Sequence, residues 1–242
     1  MIFDAASFEF RPPPEVSRAR RVLIKPNAAY PVPHPVTVSR ETLSTVIEGI
    51  RRISDADILV VEGPNVSQKT HEVFRALGYD FPRITVLDVR DCLCVEVENP
   101  LPKPFALPTI WVPNVVLWSD YLISVSSYKI LGSVGNFTLK NLIGLLPPNK
   151  YGGDLNQGRA MLHQLGLANV VADLYYTVPF DLGIIDARYK LTSTTDPTSG
   201  NIEPWGKVFV GPPLDVDNEA SQIANLTTPY LQLIREAKCT VT

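Results

Sequence analysis

Four short runs of apolar residues constrain this chain more than anything else in it. They are Arg21–Lys25 (RVLIK), Asp57–Glu62 (DILVVE), Tyr121–Ser126 (YLISVS) and Leu182–Ala187 (LGIIDA). Each is too short for a helix and too apolar for a half-exposed strand, so each reads as a strand covered on both faces. Helix-like segments lie between them. Thr37–Ile53 carries Leu43, Val46, Ile47 and Ile50 on one stripe, with Ser39 ahead of Glu41 and Thr42 as a capping group. Gln68–Leu77 reads as a second helix closed by Gly78, and Arg83–Val89 as a further strand. This alternation predicts an α/β fold, a mostly parallel sheet flanked by helices with right-handed crossovers.

Proline disturbs that rhythm in the middle of the chain. There are 22 prolines against 14 glycines, densest at Pro12–Pro14, Pro26–Pro35 and Pro100–Pro113. Proline fixes φ and removes an N–H, so such stretches are loop or turn. Cys92–Val97 alternates and runs into the last of them, which predicts a proline-rich strand/loop insertion, a flap over 92–118, within a single α/β domain spanning 1–242. Further on, Leu139–Leu146 and Arg159–Tyr176 read as helices and Lys207–Val210 as a short strand. Asp217–Lys238 reads as a terminal amphipathic helix with a break at Pro229.

Composition excludes several function classes. The 242 residues are 45% hydrophobic and 19% charged, with a formal net charge of −3, which is globular and unsuited to a broad nucleic-acid footprint. No apolar run approaches the ~18 residues of a membrane span. The start, MIFDAASFEF, lacks the basic and apolar regions of a secretory signal. A cytoplasmic protein is expected, with no membrane partner and a homo-oligomer left open. Three cysteines, with only Cys92 and Cys94 close together, make neither a disulfide framework nor a four-thiolate cluster.

Candidate site residues come from the strand ends, because ligands of open parallel sheets bind beyond the carboxyl ends of the strands. The first strand delivers Lys25 and Asn27, the second Glu62, and the fourth Ser126, Ser127 and Lys129. Gly132, Gly135, Asn136, Thr138, Lys140 and Asn141 follow, and the Leu182–Ala187 strand delivers Asp186. Strand ends are also where any chain returns to solvent, so a single charge there means little; several lysines and amides together mean more. Ser126–Asn141 holds two glycines, hydroxyls and two lysines before a helix-like run, and reads either as a backbone nest for an anion or as a plain glycine turn. It lacks the ending of a P-loop.

Lys25-Pro26-Asn27, Thr37, Glu62-Gly63-Pro64, the run Thr138-Leu139-Lys140-Asn141-Leu142-Ile143-Gly144-Leu145 and Ile184-Ile185-Asp186-Ala187 occur in that order. Together they resemble the uncharacterised family called domain of unknown function 362, over about Arg21–Ala224. Relatives often place a histidine two residues after the lysine that Lys129 matches; here that position is Leu131. Many also carry a ferredoxin-like cysteine module, absent here, so the resemblance implies no iron–sulfur cluster. It brings no reaction and no known cofactor. The IKPN region is more loosely similar to nickel-dependent lactate racemase-type proteins, which supports the α/β fold alone.

Three functions fit these residues. In the first, an enzyme or enzyme-like protein takes a small anionic partner, a carboxylate or phosphate. Lys25, Lys129, Asn27, Asn141 and Thr138 hold it, Lys140, Glu62 and Asp186 are the catalytic candidates, and a lysine of lowered pKa acts as base or Schiff-base former. In the second, Glu62, Asp186, Asp217 and His163 ligate a divalent metal. In the third, the lysines and carboxylates are structural ion pairs in a non-catalytic module.

Overall fold

The computed structural model describes residues 1–65, 67–152 and 159–241. Its strands and helices follow the expected alternation. β1 (Ile2–Asp4) leads to β2 (Arg21–Pro26), α1 (Arg40–Arg51), β3 (Asp57–Glu62), α2 (Thr70–Ala76) and β4 (Ile84–Asp88). β5 (Cys94–Glu98), β6 (Thr109–Pro113) and α3 (Asn114–Leu117) come next. Then follow β7 (Tyr121–Leu131), β8 (Val134–Asn136), α4 (Thr138–Asn141), a 3-10 turn over Leu142–Leu145, α5 (Pro148–Tyr151), α6 (Ala160–Gln164) and α7 (Leu167–Thr177). β9 (Leu182–Ser193), β10 (Asn201–Gly211), α8 (Pro213–Ile223) and α9 (Pro229–Val241) complete the chain.

The main sheet runs β1-β10-β9-β7-β2-β3-β4, with β8 paired to β7. The β9, β7, β2, β3 and β4 strands are mutually parallel, and the β1–β10, β10–β9 and β7–β8 pairs are antiparallel. From β2 the chain moves outward through β3 to β4, then returns to the other side of β2 as β7. That reversal makes the β2/β7 junction a topological switch point, where the connections leaving two adjacent strands diverge and open a crevice.

Burial explains the apolar runs. The residues of β2 after Arg21 are all buried, because Val22 and Ile24 pack into one core cluster with α1 while Leu23 packs into another with α4 and α7. Helix α1 buries Leu43, Val46, Ile47 and Ile50, and Ser39 caps it by accepting from the Thr42 N–H. Between β4 and β7 the chain leaves the main sheet as an antiparallel ribbon of β5 and β6. Its proline-rich connection is held by one buried side chain. The Asp173 carboxylate accepts from Asn99 Nδ2 at 2.7 Å and from the backbone N–H groups of Phe105, Ala106 and Leu107 at 3.0, 2.8 and 2.8 Å.

Three expectations meet the structure differently. Arg159–Tyr176 is not one helix but α6 and α7, broken at Gly166, whose φ of +83° only glycine adopts without strain. Asp217–Lys238 does break at Pro229, after a turn through Asn225, but its first part starts earlier, at Pro213, so Asp217 sits inside α8 rather than at a helix start. Of the two readings of Ser126–Asn141, the glycine turn is the one the backbone follows. Strand β7 continues through Lys129 to Leu131 and turns over Gly132-Ser133 into β8, so the first glycine serves a two-residue hairpin loop.

Candidate functional site

The floor of the crevice is a buried ion pair. Lys25, leaving the end of β2, meets Glu62 at the end of β3 with Nζ to Oε1 at 2.7 Å, each side chain 1% exposed. Its ammonium has three donors, and the other two reach Pro26 O at 2.8 Å and Asn141 Oδ1 at 3.2 Å. Glu62 also accepts from the Ala28 and Gly63 N–H groups at 2.7 and 2.8 Å. Burial pushes the Lys25 ammonium below its ordinary value, and the adjacent Glu62 opposes that shift. The Asn141 amide donates back to Lys25 O at 2.9 Å and to Ser124 Oγ at 3.1 Å. The backbone of the 3-10 turn lies directly against this pair. A Cβ on Gly144 would stand 2.7 Å from Lys25 Nζ and 2.8 Å from Glu62 Oε1, so the glycine of the LIGL sequence is a steric requirement.

Arg159 closes one side. Its buried guanidinium donates to Leu146 O, Gly63 O, Gly144 O and Asn65 Oδ1 at 2.7–3.1 Å, and all three of its nitrogens are engaged. It ties the end of β3 to the 3-10 turn. Burial brings it down to about 10 despite the nearby Glu62.

Lys129 and Lys140 are different. Lys129 lies on β7 just past the point where its pairing with β9 shifts from Asp186 to Lys190, is 8% exposed, and donates to Val36 O at 2.7 Å. Lys140 on α4 is half-buried and donates to Asn136 Oδ1. Among the described residues each therefore has one neutral oxygen partner, with two donors to spare. Among the described residues neither has a carboxylate within ion-pair distance. Burial pushes both ammoniums down to about 8; for Lys129 the charges of Lys140 and Lys25 add to the effect and Glu62 opposes it. Both face a cleft of about 230 Å³. Ile130, Phe137, Leu167 and Leu191 supply its apolar walls, and His163, Ser193 and Asp196 line it as well.

Of the residues expected at the site, Lys25, Asn27, Glu62, Lys129, Lys140 and Asn141 line this cleft. Thr138 and Asp186 are not among its lining residues, and each has a structural task instead. Thr138 begins α4, where the buried Asp217 carboxylate accepts from Thr138 N and Oγ at 2.9 and 2.5 Å and from Leu139 N at 3.0 Å. Tyr230 O–H donates to the same carboxylate at 2.9 Å. Burial pushes Asp217 up to about 6 even with these donors. Asp186, fully buried, joins β9 to the start of α1 by accepting from Ser39 N at 3.0 Å and Ser39 Oγ at 2.5 Å. Burial alone would raise it; His34, Ser39 and Arg188 together hold it below the usual carboxylate range.

The set Glu62, Asp186, Asp217 and His163 therefore does not assemble. Among the described residues no three His, Cys, Asp or Glu side chains are grouped to hold a metal. Cys92 and Cys94 are half-buried free thiols, and burial pushes both up, Cys92 to about 11. No helix among the described residues is long and apolar enough to cross a membrane. Arg159 is the site residue that sequence reasoning missed. Its partners are carbonyl oxygens from distant segments, which leave no mark in side-chain chemistry.

Comparison with known proteins places the chain. The family described as Domain of unknown function (DUF362) matches residues 22–217. The chain belongs to that family. No curated protein matches it. Among solved structures it is similar to the lactate racemase apoprotein from Thermoanaerobacterium thermosaccharolyticum, at 15% sequence identity and a TM-score of 0.55 over 90% of this chain. The chain spans about half of that protein, which is matched over 53% of its length. At this identity the likeness is one of fold. This DUF362 chain thus shares an α/β framework with an enzyme, while its cleft residues stand on their own geometry.

Proposed function

We propose that this DUF362 chain binds a small anionic metabolite, a carboxylate or phosphate, between Lys129 and Lys140. One observation carries the reading: two amines at the wall of one cleft keep donors free and lack a carboxylate partner among the described residues. A cation withdrawn from water without a counter-ion costs free energy that a bound anion recovers. Lys25 and Glu62 do not contact the ligand directly in this reading, since their polar atoms are spent on each other and on backbone.

Thermal denaturation in phosphate, sulfate, citrate and pyruvate tests this. At least one anion should raise the melting midpoint of the native chain in a saturable way, beyond the effect of equal ionic strength. Lys129→Met and Lys140→Met should each abolish the gain. If no anion produces it in the native chain, the reading is wrong. The structural ion-pair reading applies within the same cleft to Lys25 and Glu62, where saturation by partners favours it.

A further inference from the structure

We propose that Lys140 forms an imine with the carbonyl carbon of a small oxo acid whose carboxylate is held by Lys129. The inference rests on the anion-binding reading and adds a substrate class and a covalent step. The two amines differ in a way that divides the work. Lys129 is nearly closed off and anchored to Val36 O, which suits a fixed cation. Lys140 is half-buried on the short helix α4, where an incoming carbon can reach its nitrogen. An oxo acid carries its carbonyl carbon next to its carboxylate, so anchoring one group on Lys129 brings the other to the neighbouring amine. Phe137, Leu167 and Leu191 give the same cleft apolar walls, which disfavour a charged adduct and favour its dehydration.

The chemistry balances without a further reactant. The nitrogen lone pair attacks the carbonyl carbon, and the carbon–oxygen π pair moves to oxygen. Both nitrogen protons end on that oxygen, which leaves as water while the carbon–nitrogen double bond forms. Nothing is oxidised or reduced. Burial is what keeps a useful fraction of the Lys140 amine neutral near pH 8.

Incubating the whole chain with pyruvate, adding borohydride and mapping the product by mass spectrometry tests the proposal. A reduced adduct on Lys140 that saturates with pyruvate and is suppressed by citrate is the expected result. It should vanish in Lys140→Arg, whose melting midpoint without ligand shows that the chain is folded. Pyruvate that raises the melting midpoint of the native chain yet leaves no Lys140 adduct overturns the imine and keeps the anion reading. An adduct at Lys129, or one spread over surface lysines and unchanged in Lys140→Arg, overturns it equally. If no anion stabilises the native chain, the underlying reading falls and takes the imine with it.

Discussion

Two pairs of cations share one cleft and are treated in opposite ways. Lys25 and Arg159 are buried with their nitrogens engaged: Lys25 by Glu62, Asn141 and Pro26 O, Arg159 by carbonyl and amide oxygens of Gly63, Asn65, Gly144 and Leu146. Among the described residues Lys129 and Lys140 each meet a single neutral oxygen. Positive charge is thus a poor guide to which residue meets a ligand. The count of unspent donors is a better one, because a saturated ammonium must break a good hydrogen bond before it can make another.

Several substitutions would break or sharpen that contrast. The largest effect is expected from Glu62→Ala, which strands the Lys25 ammonium and the Ala28 and Gly63 N–H groups in the interior; about 3–5 kcal/mol of stability should be lost in urea unfolding. An unchanged midpoint would mean that Lys25 is not framework. Gly144→Ala pushes a methyl group into the same pair and should cost about 1–3 kcal/mol, with the anion-induced shift weakened as Lys25 and Asn141 move.

Lys129→Met and Lys140→Met should behave oppositely to Glu62→Ala. Each removes a buried or half-buried cation that has no carboxylate partner among the described residues, so stability should hold or rise slightly while anion binding disappears. A marked loss of stability in either would erase the distinction between the two pairs. The smallest effect concerns pH. Both lysines titrate near 8 in the folded chain against an ordinary 10.5, so between those values the unfolded chain holds more protons than the folded one. Their contribution to stability therefore rises with pH across that window, and the gain should shrink in the methionine variants. A bound anion favours the protonated amines, so the anion-induced melting shift should be flat below pH 8 and decline above it.

Much of the framework was legible in the sequence, and the reasons are local. RVLIK and DILVVE form strands because both faces of the sheet are covered, and the Ser39 cap with its Leu43–Ile50 stripe specifies α1 almost unaided. The strand-end rule brought six of the eight expected residues to one cleft. It could not separate Lys25 from Lys129, because what distinguishes them is a partner 37 residues away on β3 and another 116 residues away on α4. Asp217 was misplaced for a similar reason: it caps α4, a helix lying 79 residues earlier in the chain. The segment after Lys129 stayed open between two readings because glycines and lysines before a helix look alike whether they cradle an anion or turn a strand. Ile130 and Leu131, which prolong the apolar run, were the clue.

Asp173 carries a consequence for how this chain tolerates change. Three of its four donors are main-chain N–H groups at Phe105, Ala106 and Leu107, and main-chain groups are the same whatever side chain is attached. One carboxylate therefore dictates the path of a long proline-laden detour while remaining indifferent to most of its lettering. That stretch can drift in composition as long as no imino acid replaces those three positions, and a single change at 173 would undo what many changes around it would not.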